Sequence, residues 1–257
     1  MHSVDNLPLW VFFTLVLLFS LFWTECGYRV GAHRRKLDPK EPEAPLGTVV
    51  ASILGLLAFM LGFTFNVAIN RYDDRREAVL NEANAIGTTY LRADFMDNQA
   101  RDTSRKLLRE YVQLRVDGIL PTSEFQKVIA RSEEIQNELW TGATKLAKDH
   151  PTPISGLYVS TLNEVIDMHS KRITLALHSR VPLSVWLVLF GVSALAMLSV
   201  GFYFGLTGNR SWAETVVLIV TFALVMLLVA DLDRPHEGLI KASQQPMIDL
   251  HKQLGPP

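Results

Sequence analysis

The chain is predicted to be an all-α integral membrane protein, with four transmembrane helices and a long-helix soluble domain inserted between the second and third. Three observations predict this fold. Apolar and aromatic residues make up 49% of the 257 residues, and only 20% are charged. Four stretches contain no Asp, Glu, Lys or Arg: Asn6–Thr24, Ala44–Asn70, Val181–Asn209 and Thr215–Ala230, of 19, 27, 29 and 16 residues. At about 1.5 Å per residue, a helix crosses about 30 Å of hydrocarbon in about 20 residues. The fourth stretch reaches that length once Ser211–Glu214 are added. Finally, the segment between the second and third stretches is polar and balanced, with 16 basic and 16 acidic side chains over residues 70–180.

Residues 1–28 hold the first transmembrane helix, framed by Trp10 and Trp23, whose rings favour the headgroup region. A cleavable leader would need a basic n-region and small residues at the cut. No Lys or Arg precedes Arg29, so the helix reads as retained, and Cys26 reads as an interfacial thiol. Residues 29–45 form a basic connecting loop carrying Arg29, Arg34, Arg35, Lys36 and Lys40 and closed by Pro39, Pro42 and Pro45. The second transmembrane helix, 46–70, is expected to continue unbroken into charged sequence.

Residues 71–180 are read as the soluble helical domain. Asp97 or Asn98 caps a helix that ends near Val116 before Asp117-Gly118, and Ser123 with Gln126 forms a capping box for the next. Thr152-Pro153 then supplies an N-cap and a first-turn proline. Ile154, Leu157, Tyr158, Thr161, Leu162, Val165 and Ile173 recur mostly three or four residues apart, a helical period. Two or three long antiparallel helices result. The third span, 181–207, opens at Pro182; the fourth, 211–231, opens at Trp212 with Glu214 in its first turn and stops at Asp231-Leu-Asp233-Arg234-Pro235. Residues 232–257 are a short amphipathic tail.

Composition excludes several classes. Lys+Arg of 25 against Asp+Glu of 26 gives no electrostatic footprint for nucleic acid. One cysteine forbids an internal disulfide or a Cys-based metal site. His169 and His178 share a helix nine residues apart, a spacing unsuited to a metal, and both read as surface or core residues. Nucleophile elbows, phosphate loops and dinucleotide fingerprints are absent from the sequence. Neither enzyme chemistry nor a cofactor or metal is expected.

Four spans place both termini and the helical domain on one side. The two short connections carry Arg29, Arg34, Arg35, Lys36, Lys40 and Arg210, whereas the opposite side of the bilayer carries Arg234, Lys241 and Lys252 after the fourth span, with Arg71, Arg75 and Arg76 crowding the end of the second. Short-loop charge therefore directs the connections inward and the helical domain to the extracytoplasmic face of the membrane.

The densest polar signal is the extension of the second span. Asn66, Asn70, Asp73, Glu77, Asn81 and Asn84 follow at steps of 4, 3, 4, 4 and 3, which is one helical face. In one reading the face lines an ion path at the centre of a homo-oligomeric ring, with amides and carboxylates replacing part of the hydration shell. In the other, Asn66 and Asn70 bond between helices and the rest is a wet surface. Gly55, Ala58 and Gly62 are small residues spaced for close helix packing and self-association. Asp233 and Arg234 are spaced for a local salt bridge at the chain's exit from the last span.

The stretch Gly62–Gly87, with Asn70-Arg71-Tyr72-Asp73-x-Arg75-Arg76 and Glu82-Ala-Asn84-Ala-Ile-Gly87, resembles the bacterial bestrophin-like family. So does Asp231-Leu-Asp233-Arg234-Pro235-x-x-Gly238 with Ser243-Gln-Gln-Pro246. The layout of two spans, a helical insert, two spans and a tail agrees over essentially the whole chain. The resemblance implies a ring-shaped channel passing inorganic ions, with the second span lining the pore and continuing into a helical domain that is cytosolic in bestrophins. Bestrophins mostly conduct anions, whereas Asp73 and Glu77 would favour cations, so both selectivities stay open. The hydrophobic neck of bestrophins has only Phe59, Phe63 and Phe65 as candidates, and their acidic calcium clasp has no counterpart. The alternative function is a non-conducting membrane scaffold or sensor whose helical domain binds a partner.

Overall fold

A computed structural model describes residues 7–37, 44–117, 122–177, 180–208, 210–234 and 238–256. The described residues are almost wholly helical: α1 (Leu9–Leu37), α2 (Ala44–Arg92), a 3-10 turn (Ala93–Phe95), α3 (Asn98–Asp117), α4 (Thr122–Asp149), α5 (Pro153–Leu177), α6 (Leu183–Thr207), α7 (Trp212–Asp233) and α8 (Gln245–Leu254). Four of them, α1, α2, α6 and α7, are long and apolar enough to cross a membrane. The chain divides into two units, residues 1–72 with 180–241 and residues 73–179 with 242–257.

The first unit packs its apolar helices around Leu57, Leu189, Met197 and Ile219, all nearly inaccessible. A smaller cluster gathers Ala68, Val181, Val229 and Leu232. Lipid tails are as apolar as leucine, so burial alone drives such helices together weakly, and close backbone approach takes its place. That approach occurs between α1 and α6. A Cβ added at Gly27 would stand 2.0 Å from the Leu198 carbonyl oxygen, and one at Gly201 would stand 2.0 Å from that of Thr24. Gly31 and Gly205 repeat the arrangement one turn on, at 2.2 Å from Phe202 O and 2.4 Å from Tyr28 O. A Cβ added at Gly55 or Gly62, also read as positions for close packing and self-association, would meet nothing within 4 Å among the described residues. Both are exposed on the outward side of α2. Hydroxyls inside the spans bond back to their own helix, as Thr24 does to Ser20 O at 2.8 Å and Thr64 to Met60 O at 2.7 Å, which satisfies them without a partner helix.

Helix α1 outruns its expected end. Arg29, Arg34, Arg35 and Lys36, read as part of a loop, occupy its last turns. Cations favour the negative end of a helix, and Arg29 also pairs with Glu25 at i, i+4 (2.9 Å). Helix α6 ends in a left-handed Gly208 (φ 72°) whose N–H returns to Phe204 O, a conformation a Cβ would strain.

The second unit is a helical bundle built from the far part of α2 with α3, α4, α5 and α8. Its core holds Ile86, Leu108, Ile135, Tyr158, Leu162 and Met247. Two of the expected caps form. Asp97 accepts the Ala100 N–H at 2.9 Å, and Thr152 accepts that of Ser155 at 3.2 Å ahead of Pro153. Ser123, the expected cap of α4, falls one residue inside that helix, and its side chain lies outside the described residues, as do Gly118 and His178.

Candidate functional site

Helix α2 runs 49 residues without interruption, so its faces persist along its length. One face carries Thr64, Ala68, Arg75, Ala78, Val79 and Glu82, all buried. The other carries Asn66, Asn70, Asp73 and Glu77, all exposed, with Asn84 exposed and Asn81 half-buried further on. Along it, side chains four apart clasp one another: Asn70 Nδ2 donates to Asn66 Oδ1 at 3.1 Å, and Asn81 Nδ2 donates to Glu77 Oε1 at 3.2 Å. Asn66 and Asn70 therefore bond along their own helix. The three phenylalanines divide by facing: Phe59 (69% exposed) and Phe63 (54%) precede Asn66 on the outward face with Leu56, while Phe65 packs against the Ala68–Val229 cluster.

Of the other motif residues, Tyr72 packs on that same cluster, Arg71 is half-buried and Arg75 is buried. The second motif ties down the end of α7. The Asp231 carboxylate accepts the N–H groups of Leu239 (2.7 Å) and Ile240 (3.1 Å), so it turns the chain back on itself after the helix. Gly238, at φ 138°, leaves room for this, because a Cβ there would stand 2.3 Å from Asp231 Oδ1. Asp233 accepts the Val181 N–H at 2.7 Å, just ahead of α6, and Arg234 donates to Leu7 O at 2.7 Å. These two were expected to pair locally with each other; they instead fasten segments 52 and 227 residues away. Pro235 lies outside the described residues.

Glu82 is the centre of a buried polar cluster that the sequence did not announce. Its Oε1 accepts from Tyr111 OH (2.8 Å) and Arg115 Nε (3.0 Å), and its Oε2 accepts from Arg172 Nη1 (2.5 Å). Arg172 also donates to Gln244 Oε1 at 2.5 Å, and Gln136 to Tyr111 OH at 3.3 Å. Burial raises the Glu82 carboxyl, but the two guanidiniums outweigh it and hold the group below the usual carboxylate range. Burial, then the Glu82 charge, pushes the Tyr111 phenol upward.

His169 completes the cluster, with Nδ1 against Arg115 Nη2 and 3.1 Å from Tyr111 OH. Burial and the Arg115 charge lower it to about 4, while Nε2 is buried without a protein partner. A histidine lowered from 6.5 to about 4 binds its proton more readily when unfolded. Stability of the second unit should therefore fall as pH drops from 6.5 towards 4, by about 3 kcal/mol in all. Glu82, lowered from 4.5, adds a further loss only below that pH. Thermal unfolding in detergent across pH 7.5 to 4.5 checks this: His169→Gln should flatten the slope, and an unchanged slope would show that His169 does not drive it.

Among the described residues, no three His, Cys, Asp or Glu side chains gather where they could hold a metal. The geometry thus offers two assets: an outward polar line on α2 and a buried ion cluster that braces the second unit.

Comparison with known proteins agrees with this architecture. No curated protein matches the chain. Among solved structures, a point variant of a membrane protein aligns at a TM-score of 0.66 and 15% identity, covering 96% of this chain and 97% of that one. Two structures of a bacterial bestrophin homologue from Klebsiella pneumoniae, a point variant and one phased on zinc, align at TM-scores of 0.65 and 0.64, each at 16% identity and covering 96% of this chain and 97% of theirs. At such identity the likeness is one of fold. The sequence model of the Bestrophin-like domain matches residues 7–247, so the motifs on α2 and at the end of α7 both lie within it. With that match across nearly its whole length, the chain belongs to the bestrophin-like family.

Proposed function

We propose that the protein is a homo-oligomeric membrane channel whose subunits form a ring around an axis lined by α2, with residues 71–180 as its soluble domain. One observation carries the reading. The face of α2 bearing Asn66, Asn70, Asp73 and Glu77 is exposed in the single chain, while Thr64, Ala68, Arg75, Ala78 and Glu82 are buried on the opposite side. A polar line on an apolar span is costly against lipid and comfortable against water. Copies of the chain facing a common axis give it that water. Leu56, Phe59 and Phe63 on the same face then supply an apolar constriction, and Asn66 and Asn70 the first amides beyond it. Family membership agrees, since the resemblance to bestrophins implies a ring-shaped channel.

Asp73 and Glu77 set the charge at the mouth, because low-dielectric walls focus the field of a carboxylate. In liposomes or a planar bilayer, the Asp73→Asn, Glu77→Gln double variant is expected to shift relative permeability away from cations by severalfold. The shift should be strongest at low salt, where screening is weak. Asn66→Leu should lower conductance outright. A protein that conducts with unchanged selectivity and flux in all variants would remove α2 from the pore. A wild-type protein that stays monomeric in mild detergent would remove the axis itself and favour the scaffold reading.

A further inference from the structure

A cavity of about 360 Å³ opens in the first unit between α1, α6 and α7. We infer that it binds one anionic phospholipid, with an acyl chain in the cavity and the phosphate at Arg210. Such a volume lies within the range of about 300–1,000 Å³ that ligand pockets span. Its walls include Leu21, Phe204 and Thr215 and are mostly apolar. The two threonine hydroxyls they contain are already committed, since Thr215 donates to Ser211 O at 2.9 Å and Thr24 to Ser20 O at 2.8 Å. A wall this largely apolar holds hydrocarbon better than water.

The rim is of different chemistry. The Arg210 guanidinium lies over the Trp212 ring at 4.1 Å and over the Tyr28 ring at 4.6 Å, and its nitrogens remain to bond in its own plane. One edge nitrogen meets Glu25 Oε2 at 2.7 Å, while Glu25 Oε1 takes Arg29 at 2.9 Å. Two guanidiniums therefore share one carboxylate, which leaves positive charge at the mouth of an apolar slot. Tryptophan and tyrosine mark the headgroup level of a span, and all three helices are apolar enough to be spans. A molecule that meets both chemistries at that depth is a lipid with a phosphate head and net negative charge.

The site is independent of whether α2 conducts, and so is its test. The detergent-solubilised protein is titrated with phosphatidylglycerol and with phosphatidylcholine of the same acyl chains, and bound lipid is counted by native mass spectrometry. Phosphatidylglycerol is expected to bind about fivefold more tightly, the increment of one arginine near an anionic surface. Arg210→Gln should abolish that preference. Glu25→Gln should increase it, because the internal carboxylate no longer competes for Arg210. Thr215→Trp should exclude both lipids by filling the slot. Inorganic phosphate at millimolar concentration should not displace the lipid; displacement would assign the site to free phosphate and overturn the acyl-chain part. Equal binding of the two lipids, or a preference unmoved by both Arg210→Gln and Glu25→Gln, overturns the proposal. So does an assembly that binds no lipid because a second copy covers the cavity. The opposite signs expected at Arg210 and Glu25 separate the proposal from simple loss of folding.

Discussion

Glu82→Ala is expected to destabilise the second unit by about 3–5 kcal/mol, because it strands two cations around a hole where a carboxylate had been. Glu82 is wholly buried and Arg115 nearly so, and Arg115 and Arg172 both lose their main counter-charge. Tyr111 loses its acceptor at the same time. Thermal unfolding in detergent together with hydrogen exchange over α3 and α5 would register the loss, and undiminished protection there would refute the cluster's role. Glu82→Gln should cost less, since the amide keeps the shape and one acceptor oxygen. A more searching variant removes charge from both sides. Glu82→Leu with Arg115→Met replaces an ion pair by apolar volume, which is often neutral or stabilising in a protein interior. Arg172 still faces a lost partner at its Nη1 but keeps Gln244. The double variant should therefore be more stable than Glu82→Ala alone. If it were equally damaged, the cluster would matter for shape and not for charge.

Gly201→Val is the second large expectation. The first atom of the new side chain would stand 2.0 Å from the Thr24 carbonyl oxygen and 2.9 Å from the Tyr28 nitrogen. Neither is the end of a flexible side chain, so the backbones of α1 and α6 must part. Overpacking of this kind costs about 1–3 kcal/mol and sometimes more. Here the upper end is expected, because separation also undoes Gly205 against Tyr28 O and Gly27 against Leu198 O. Gly191→Ala is the matched control, as it lies on the same helix with nothing within 4 Å. It should change stability little, or raise it through better helix propensity. Detergent melting temperatures of the pair decide the matter: equal values would mean that the glycine contacts do not hold α1 to α6.

Both expectations rest on contacts that sequence periodicity touches only in part. The Gly27/Gly31 and Gly201/Gly205 pairs each have the four-residue spacing of close-packing helices. That signal was available, but Gly55, Ala58 and Gly62 show similar steps of three and four and are exposed. Spacing states which residues share a face; it does not state what the face meets. The stripe on α2 is the converse case. Its membership was legible because a helix repeats every 3.6 residues, and the fold adds only that the face is exposed. Asp231 and Asp233 were legible as motif residues through the family resemblance, yet not as acceptors for Leu239 and Val181 N–H groups.

By itself the sequence determined the properties that depend on neighbours along the chain. These are the four apolar spans, the helical character of residues 71–180, the caps at Asp97 and Thr152, and the common face of Asn66, Asn70, Asp73 and Glu77. Each follows from local hydropathy, helical period or a side chain within three residues of the amide it caps. Tertiary structure alone decided the pairings. Glu82 meets Arg115 across 33 residues and Arg172 across 90, and Arg210 meets Glu25 across 185. No local preference encodes such a partner, since an arginine has the same propensity whether it ends beside a carboxylate or in water. Only the packing of whole helices brings the charges together, and burial then makes Glu82 and Arg115 indispensable to each other.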